Sequence, residues 1–506
     1  MAPLDVGERS APWFGPRVFD DAVACPAKAS NAMAGWQLPP GVAAPPISKT
    51  LGAWGAALDL LRALARCGPT SGWADGTHPV VDLPAFAAAT ISRHGPAVQQ
   101  FAAIAVEALL DAQSAHGAGF NYDETFIKAS FGSGSMHAGG AFLFAGPGDR
   151  IQLWRLRTGA ARHVHEETTN WATLTAHALM EQRKETGAPR PALIEVFEVG
   201  AAGGGTTILG AFDPTTVAVA YAALYQDRLL PMVRDRKTSP GPHCAGCTFV
   251  GHCPAAPTVT GLLCGVPRQP TLIKVTASDL RRHADCPHRY RLQNIDGLPQ
   301  SDTAGSEAMQ RGAIVDEWLT RNHRRGQQCT ATSVQGLLVD VGDTEAAAMA
   351  ANHLSLCPLA DPDAHDLLPQ PYFAALDADS RVLLVARPDA SYIRDGTVVW
   401  RETKTRSVSN VTDAATLVDT DLGAALYLTV LASGAAGTPD ALEWEVLTAG
   451  GKEMTVVPCD DHSLLDIARN RVSAAVYDAL TDPAYPPRAG ARCAECPARQ
   501  WCVHAP

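Results

Sequence analysis

Along the second half of the chain the hydrophobic positions change period several times, and each change marks an element. TASDLRRHADCPHRYRLQN, residues 276–294, spaces its apolar residues as a helix does, with Thr276 or Ser278 placed to cap it. AMQRGAIVDEWLTRNH, residues 308–323, repeats Ile314, Val315, Trp318 and Leu319 at the three-and-four spacing of a helix with one buried face. RVLLVARPDASYIRDGTVVWRETKT, residues 381–405, switches to period two, with Asp395-Gly396 as the turn of a hairpin. AALYLTVLAS returns to a helix, LEWEVLT to a strand and LLDIARNRVSAAVYDALT to a last helix before the C-terminal cysteines. The class expected is mixed α/β, a small sheet flanked by helices.

Cysteine spacing then shows a repeat. Cys244, Cys247 and Cys253 have the same two gaps as Cys493, Cys496 and Cys502, in a chain with only 13 cysteines. Each triplet has a distant partner followed by proline, Cys25 for the first and Cys286 for the second. Trp154 in QLWRLRTG matches Trp400 in VVWRETKT at an offset of 246, and Glu195 is set against Glu445 at 250. Repetition on this scale predicts two homologous halves, 1–262 and 263–506, joined through the Gly- and Pro-bearing stretch TGLLCGVPRQPTL.

Composition narrows the class of function. A length of 506 residues with 46% hydrophobic positions is enough for several cores. The N-terminus lacks a basic flank followed by an apolar core, and no apolar run approaches the roughly 18 residues of a membrane span. A soluble cytoplasmic protein is expected, in which clustered cysteines bind metal and do not form disulfides. A net charge of −11 argues against a uniformly basic nucleic-acid coat, though not against a local basic groove. Zinc-finger, helix-turn-helix and Walker spacings are not evident.

Candidate chemistry lies in the hairpin. Glu402 and Lys404 are two apart on a strand and leave the same face, which Asp389 on the neighbouring strand can also reach. Two carboxylates and a lysine on one sheet face suit a hard divalent cation such as Mg²⁺, although solvated charges on an ordinary hairpin would read the same. Cys286, Cys493, Cys496 and Cys502 form one candidate four-thiolate centre, and Cys25, Cys244, Cys247 and Cys253 a second. Four thiolates accept either a [4Fe–4S] cluster or Zn²⁺.

CPHRY (286–290), RPD (387–389), ETK (402–404) and the terminal cysteine triplet occur in that order. The combination resembles the PD-(D/E)XK nuclease superfamily, in its RecB-like iron–sulfur branch, which includes the AddB nuclease domain and the Cas nucleases of CRISPR adaptation. The resemblance covers about residues 272–506. It implies two tandem restriction-endonuclease-like domains, each closed by a four-cysteine cluster, with Mg²⁺ or Mn²⁺ on Asp389 and Glu402 and Lys404 catalytic. It implies one or two [4Fe–4S] clusters, with Zn²⁺ the alternative. Asp316 occupies the position of a family histidine that helps to bind the metal, in Gly312-Ala-Ile-Val-Asp316, and is expected as a third, assisting metal ligand; Gly423 stands where a glutamine precedes Tyr427.

In the first half the matching positions are Leu156 and Thr158, and MHAGGAFLF replaces RPD without a carboxylate. His137, His163, His165 and Glu166 are read there as polar surface or core residues, so this copy is expected to have lost its catalytic groups. Arg281, Arg282, Arg289 and Arg291, Arg321, Arg324 and Arg325, and Arg401 and Arg406 are candidates for phosphate contact, with Tyr427 beside them. A solvated helix face is the plainer reading of these arginines. The function expected is a Mg²⁺-dependent DNA nuclease working with a helicase or another repair or defence protein. The alternative is a catalytically decayed iron–sulfur subunit that binds nucleic acid. A third reading is a zinc-stapled scaffold.

Overall fold

The computed structural model of the chain describes residues 13–14, 18–33 and 51–505, without positions 74, 118, 132–133, 139–140, 162–163, 165, 236, 240–242, 245–246, 248–249, 251–252, 254, 301–306 and 409–411. His163 and His165 lie outside the described residues.

Two five-stranded sheets share one pairing scheme. In the first, the strands run in the order Asn121–Asp123, Ala141–Ala145, Arg150–Arg157, Leu193–Gly200 and Thr206–Phe212. In the second, the order is Ala364–Pro369, Ala390–Arg394, Thr397–Thr405, Pro439–Thr448 and Gly451–Pro458. The third and fourth strands are parallel in both sheets, and every other neighbour is antiparallel. A parallel pair needs a crossover. The Glu166–Thr186 helix lies in the first crossover, and the Ala414–Thr420 and Leu422–Leu431 helices in the second.

Register makes the correspondence residue by residue. Ala141 opposes Arg155 as Ala390 opposes Arg401, so Trp154 and Trp400 are equivalent and both fully buried. Arg155 opposes Glu198 as Arg401 opposes Glu443. Glu195 is therefore not the counterpart of Glu445. The offset on this strand is 245, from 198 to 443, with an Arg–Glu pair across the parallel strands of each sheet, partly exposed at Arg155 and buried at Arg401.

The stretch 381–405 is not one hairpin. Val382–Ala386 joins a separate four-stranded sheet with Ile273–Thr276, Phe373–Asp377 and Thr258–Val259. Pro388 has no N–H for a ladder, and the chain crosses there into the five-stranded sheet. The hairpin proper is Ala390–Arg394 with Thr397–Thr405, turning at Asp395 and Gly396 with φ of 51° and 77°. Thr258–Val259 already pairs within the second half's sheet, and Leu262 and Leu263 donate their N–H groups to buried Asp377. The stretch expected to link the halves is thus packed into the second core.

Trp400, Trp444 and Val446 face the Leu422–Leu431 and His462–Thr481 helices in the largest core. On the opposite sheet face lies a smaller helical arm, Glu307–Arg324, Ala331–Val341 and Thr344–His353, packed around Trp318 and Leu447. Thr276 caps the Ala277–Asp285 helix in a reciprocal box with Asp279.

Each cysteine triplet packs across the molecule. Cys244, Cys247 and Cys253 lie against Ala374, Leu376, Leu383 and Val385 of the four-stranded sheet. Ala498, Trp501 and the partly buried Cys496 and Cys502 lie against the Leu51–Cys67 and Pro96–Ala115 helices of the first half. Trp501 meets Phe101 edge-on at 5.7 Å and donates its indole N–H to the Pro299 carbonyl at 2.8 Å. Among the described residues no single helix is long and apolar enough to cross a membrane.

Candidate active site

Asp389 directly precedes the Ala390–Arg394 strand and sits opposite Glu402, as the pairing of Ala390 with Arg401 requires. Its Oδ2 accepts the Thr403 N–H at 2.7 Å. Two residues on, Lys404 holds its ammonium against Glu402 Oε1 and lies 5.5 Å from the Trp444 ring centroid. The second carboxylate oxygen of Glu402 is buried with no hydrogen-bond partner. Burial and the Glu402 charge raise Asp389 well above the usual carboxylate range, and Asp316 adds to the effect. Burial likewise raises Glu402, against the pull of Lys404 and Arg281. Lys404 is raised: burial works against its charge, and Glu402 and Asp389 outweigh it. The geometry therefore brings Asp389, Glu402, Lys404 and Asp316 together.

Asp316 comes from the Glu307–Arg324 helix, where Gly312 allows close approach: a Cβ there would stand 2.8 Å from Thr405 Oγ1. Both Asp316 carboxylate oxygens accept from Gln370 Nε2 at 3.0 Å, and the Gln370 carbonyl oxygen accepts in turn from Arg387. Glu317 is exposed on the same helix. At Gly423 a side chain would collide with the guanidinium of Arg281, which is paired with Asp421 at 2.5 Å. The space of the missing glutamine is filled by an arginine from the Ala277–Asp285 helix.

The remaining arginines divide. Arg406 is exposed just past the Thr397–Thr405 strand. Arg289 bonds Gln293 at 3.2 Å and lines the cavity of the C-terminal cysteines. Arg282 is bound into a partly buried network with Asp279 and Asn294. Arg291 pairs with Asp296 at 3.6 Å. Arg401 is buried, with its Nε 2.8 Å from Glu443, and so is not a surface phosphate contact. Tyr427 donates to the Arg387 carbonyl at 2.9 Å while packing edge-on against Trp400, so it is both a core residue and a neighbour of the site. Tyr427 also lines a cavity of about 220 Å³ with Ser278, Arg387, Lys274 and Tyr372, of which Lys274 and Tyr372 had no role in the sequence reading.

Cys286, Cys493, Cys496 and Cys502 all line one cavity of about 90 Å³. Burial raises the Cys502 thiol, and the other three sulfurs raise it further. In the first half Cys253 is raised by burial, with Cys244 and Cys25 adding to it, so these thiols are neighbours as well. Cys247 N–H bonds the Cys244 carbonyl at 3.0 Å.

One group went unread in the sequence. His323, Cys329, His353 and Cys357 are all buried, with one ligand atom of each within 4.8 Å of the others. Its signal was two His–Cys pairs of unlike spacing, at 323 and 329 and at 353 and 357, which match no standard zinc-finger pattern.

In the first half the register sets Leu156 and Thr158 at the places of Glu402 and Lys404. The residue before Ala141, corresponding to Asp389, is Gly140, outside the described residues. His137 falls in the Gly134–His137 strand, and Glu166 opens the Glu166–Thr186 helix.

Residues 274–503 match the family model of the PD-(D/E)XK nuclease superfamily, and the second half has that fold. A solved structure titled "Crystal structure of SSO0001" is similar at 15% identity, covering 46% of this chain and 87% of that one with a TM-score of 0.23. No curated protein matches the chain.

Proposed function

We propose that the second half is a metal-dependent DNA nuclease that hydrolyses phosphodiester bonds, and that the first half is a duplicated copy without catalytic groups. The observation that carries the reading is the convergence of Asp389, Glu402 and Lys404, with an orphaned Glu402 oxygen among mutually repelling carboxylates. A cation offsets that repulsion, and oxygen donors suit Mg²⁺ or Mn²⁺. Asp389, Glu402 and Asp316 would hold it. A divalent ion held there would supply polarisation of a phosphoryl oxygen and a water of lowered pKa, from which the attacking hydroxide would come.

The chain's own groups do the rest. Glu402 and Asp389 fix the Lys404 ammonium beside the reacting phosphate, where it orients the water and offsets charge developing on phosphorus. Arg387, Lys274 and Arg406 would contact flanking phosphates, which positions a strand without reading its sequence.

Cys286, Cys493, Cys496 and Cys502 line one cavity, and four thiolates there would hold a [4Fe–4S] cluster or, as the alternative, Zn²⁺. The first-half cysteines would hold a second cluster. A helicase or another repair or defence protein is the expected partner, by analogy with proteins of similar architecture.

The test is cleavage of single- and double-stranded DNA by the anaerobically purified chain, with Mg²⁺ or Mn²⁺ and with chelator. The reading expects metal-dependent cutting that Asp389→Ala abolishes. Asp316 in place of histidine and Gly423 in place of glutamine favour a rival, a decayed subunit that binds without cutting. Salt-sensitive binding with intact DNA would establish that rival.

A further inference from the structure

We infer that His323, Cys329, His353 and Cys357 hold one zinc ion, a structural centre separate from both four-cysteine sites. Two come from the end of the Glu307–Arg324 helix and the loop after it, two from the end of the Thr344–His353 helix and just beyond. All four side chains are buried in the small core of Val315, Trp318, Leu337 and Met349. Four polar groups in so apolar a place need partners, and a metal supplies all of them at once.

Two edges of the group have the lengths that a tetrahedral zinc site requires. Zn–S near 2.3 Å and Zn–N near 2.05 Å set the N–S edge of such a tetrahedron at roughly 3.6 Å. His323 Nε2 lies 3.5 Å from Cys329 Sγ and 3.7 Å from Cys357 Sγ. His353 turns Nδ1 to Glu445 Oε1 at 2.8 Å, which leaves Nε2 buried and without a hydrogen-bond partner, facing the group. A carboxylate behind a ligating histidine is the usual outer-shell support of zinc. Two sulfurs and two nitrogens select zinc over Mg²⁺ or Ca²⁺, and four protein ligands make the site structural. Binding Zn²⁺ releases the two thiol protons to solvent.

The centre ties the helical arm to the catalytic strand. The other Glu445 oxygen accepts from Thr403 Oγ1 at 2.9 Å, and the Thr403 N–H is the one that holds Asp389. One continuous set of bonds thus runs from the His353 ligand to a candidate catalytic carboxylate.

Zinc K-edge X-ray absorption on the full chain, grown with added zinc and iron and purified without air, tests this. The expected result is about one zinc per chain with two sulfurs near 2.3 Å and two imidazole nitrogens near 2.05 Å. The four-cysteine sites would give sulfur-dominated shells, even with His243 beside Cys25 and Cys244 and His504 lining the C-terminal cavity, so a shell of two sulfurs and two imidazoles reports this centre. Cys357→Ser should lose that zinc and its imidazole signal, while Cys493→Ser keeps both. Zinc-free protein, an all-sulfur shell or a Cys329–Cys357 disulfide found by thiol mass mapping would overturn the inference. Should Cys357→Ser fail to fold, the shell of the unaltered protein decides alone.

Discussion

Burial and Glu402 both oppose a charge on Asp389, a penalty that a stabilising design would avoid and a metal site requires. Asp389→Asn keeps the shape and removes the charge. It should cut the cleavage rate by at least about 100-fold and raise the metal-free melting temperature by roughly 2–4 °C per kcal/mol relieved, read by single-turnover cleavage and calorimetry. At Gly423 the fold has exchanged a side chain for Arg281 and its Asp421 partner. Gly423→Gln should destabilise the protein, and Arg281→Ala in the same chain should return part of the loss. A double-mutant cycle in urea is expected to give a coupling of about 0.5–3 kcal/mol; independent effects would separate the two positions.

Each five-stranded sheet is registered by an Arg–Glu pair across its parallel strands, Arg155 with Glu198 and Arg401 with Glu443. Burial pushes Glu443 up, yet Arg401 and the bonds from Tyr392 and Arg394 hold it below the usual glutamate range. A lowered folded value means this contribution is complete above the unfolded value of about 4.3 and is lost as pH falls through the folded one. Glu443→Gln leaves Arg401 buried without its counter-charge. It should cost about 3–5 kcal/mol near neutral pH and flatten the acid side of the stability profile, measured by urea unfolding across pH. At this scale much was legible: the Thr276 cap, the Asp395-Gly396 turn and the strand that presents Glu402 and Lys404 are all local signals. The break at Pro388 was not, because alternation reads the same when a chain changes sheets. Nor was the register at Glu198, which depends on a partner outside its own strand.

At the scale of the molecule, the cysteine repeat could be read because each triplet is local and cysteine is scarce. Where the triplets dock could not, since each buries its apolar neighbours against the other half. The His/Cys tetrad escaped for a related reason: its two pairs meet only once the Glu307–Arg324 and Thr344–His353 helices pack. Trp501 anchors the C-terminal tail on Phe101. Trp501→Ala should cost about 3–5 kcal/mol and open residues 483–505 to limited proteolysis before the sheets unfold. The most direct measurement of the central claim pairs Mg²⁺-dependent cleavage of end-labelled DNA with Mn²⁺ binding by calorimetry, for the native chain and Lys404→Ala. The native chain is expected to cut, and Lys404→Ala to bind the ion still but to have lost cutting. Equal cleavage by both, or intact DNA with the native chain saturated in metal, would contradict that claim.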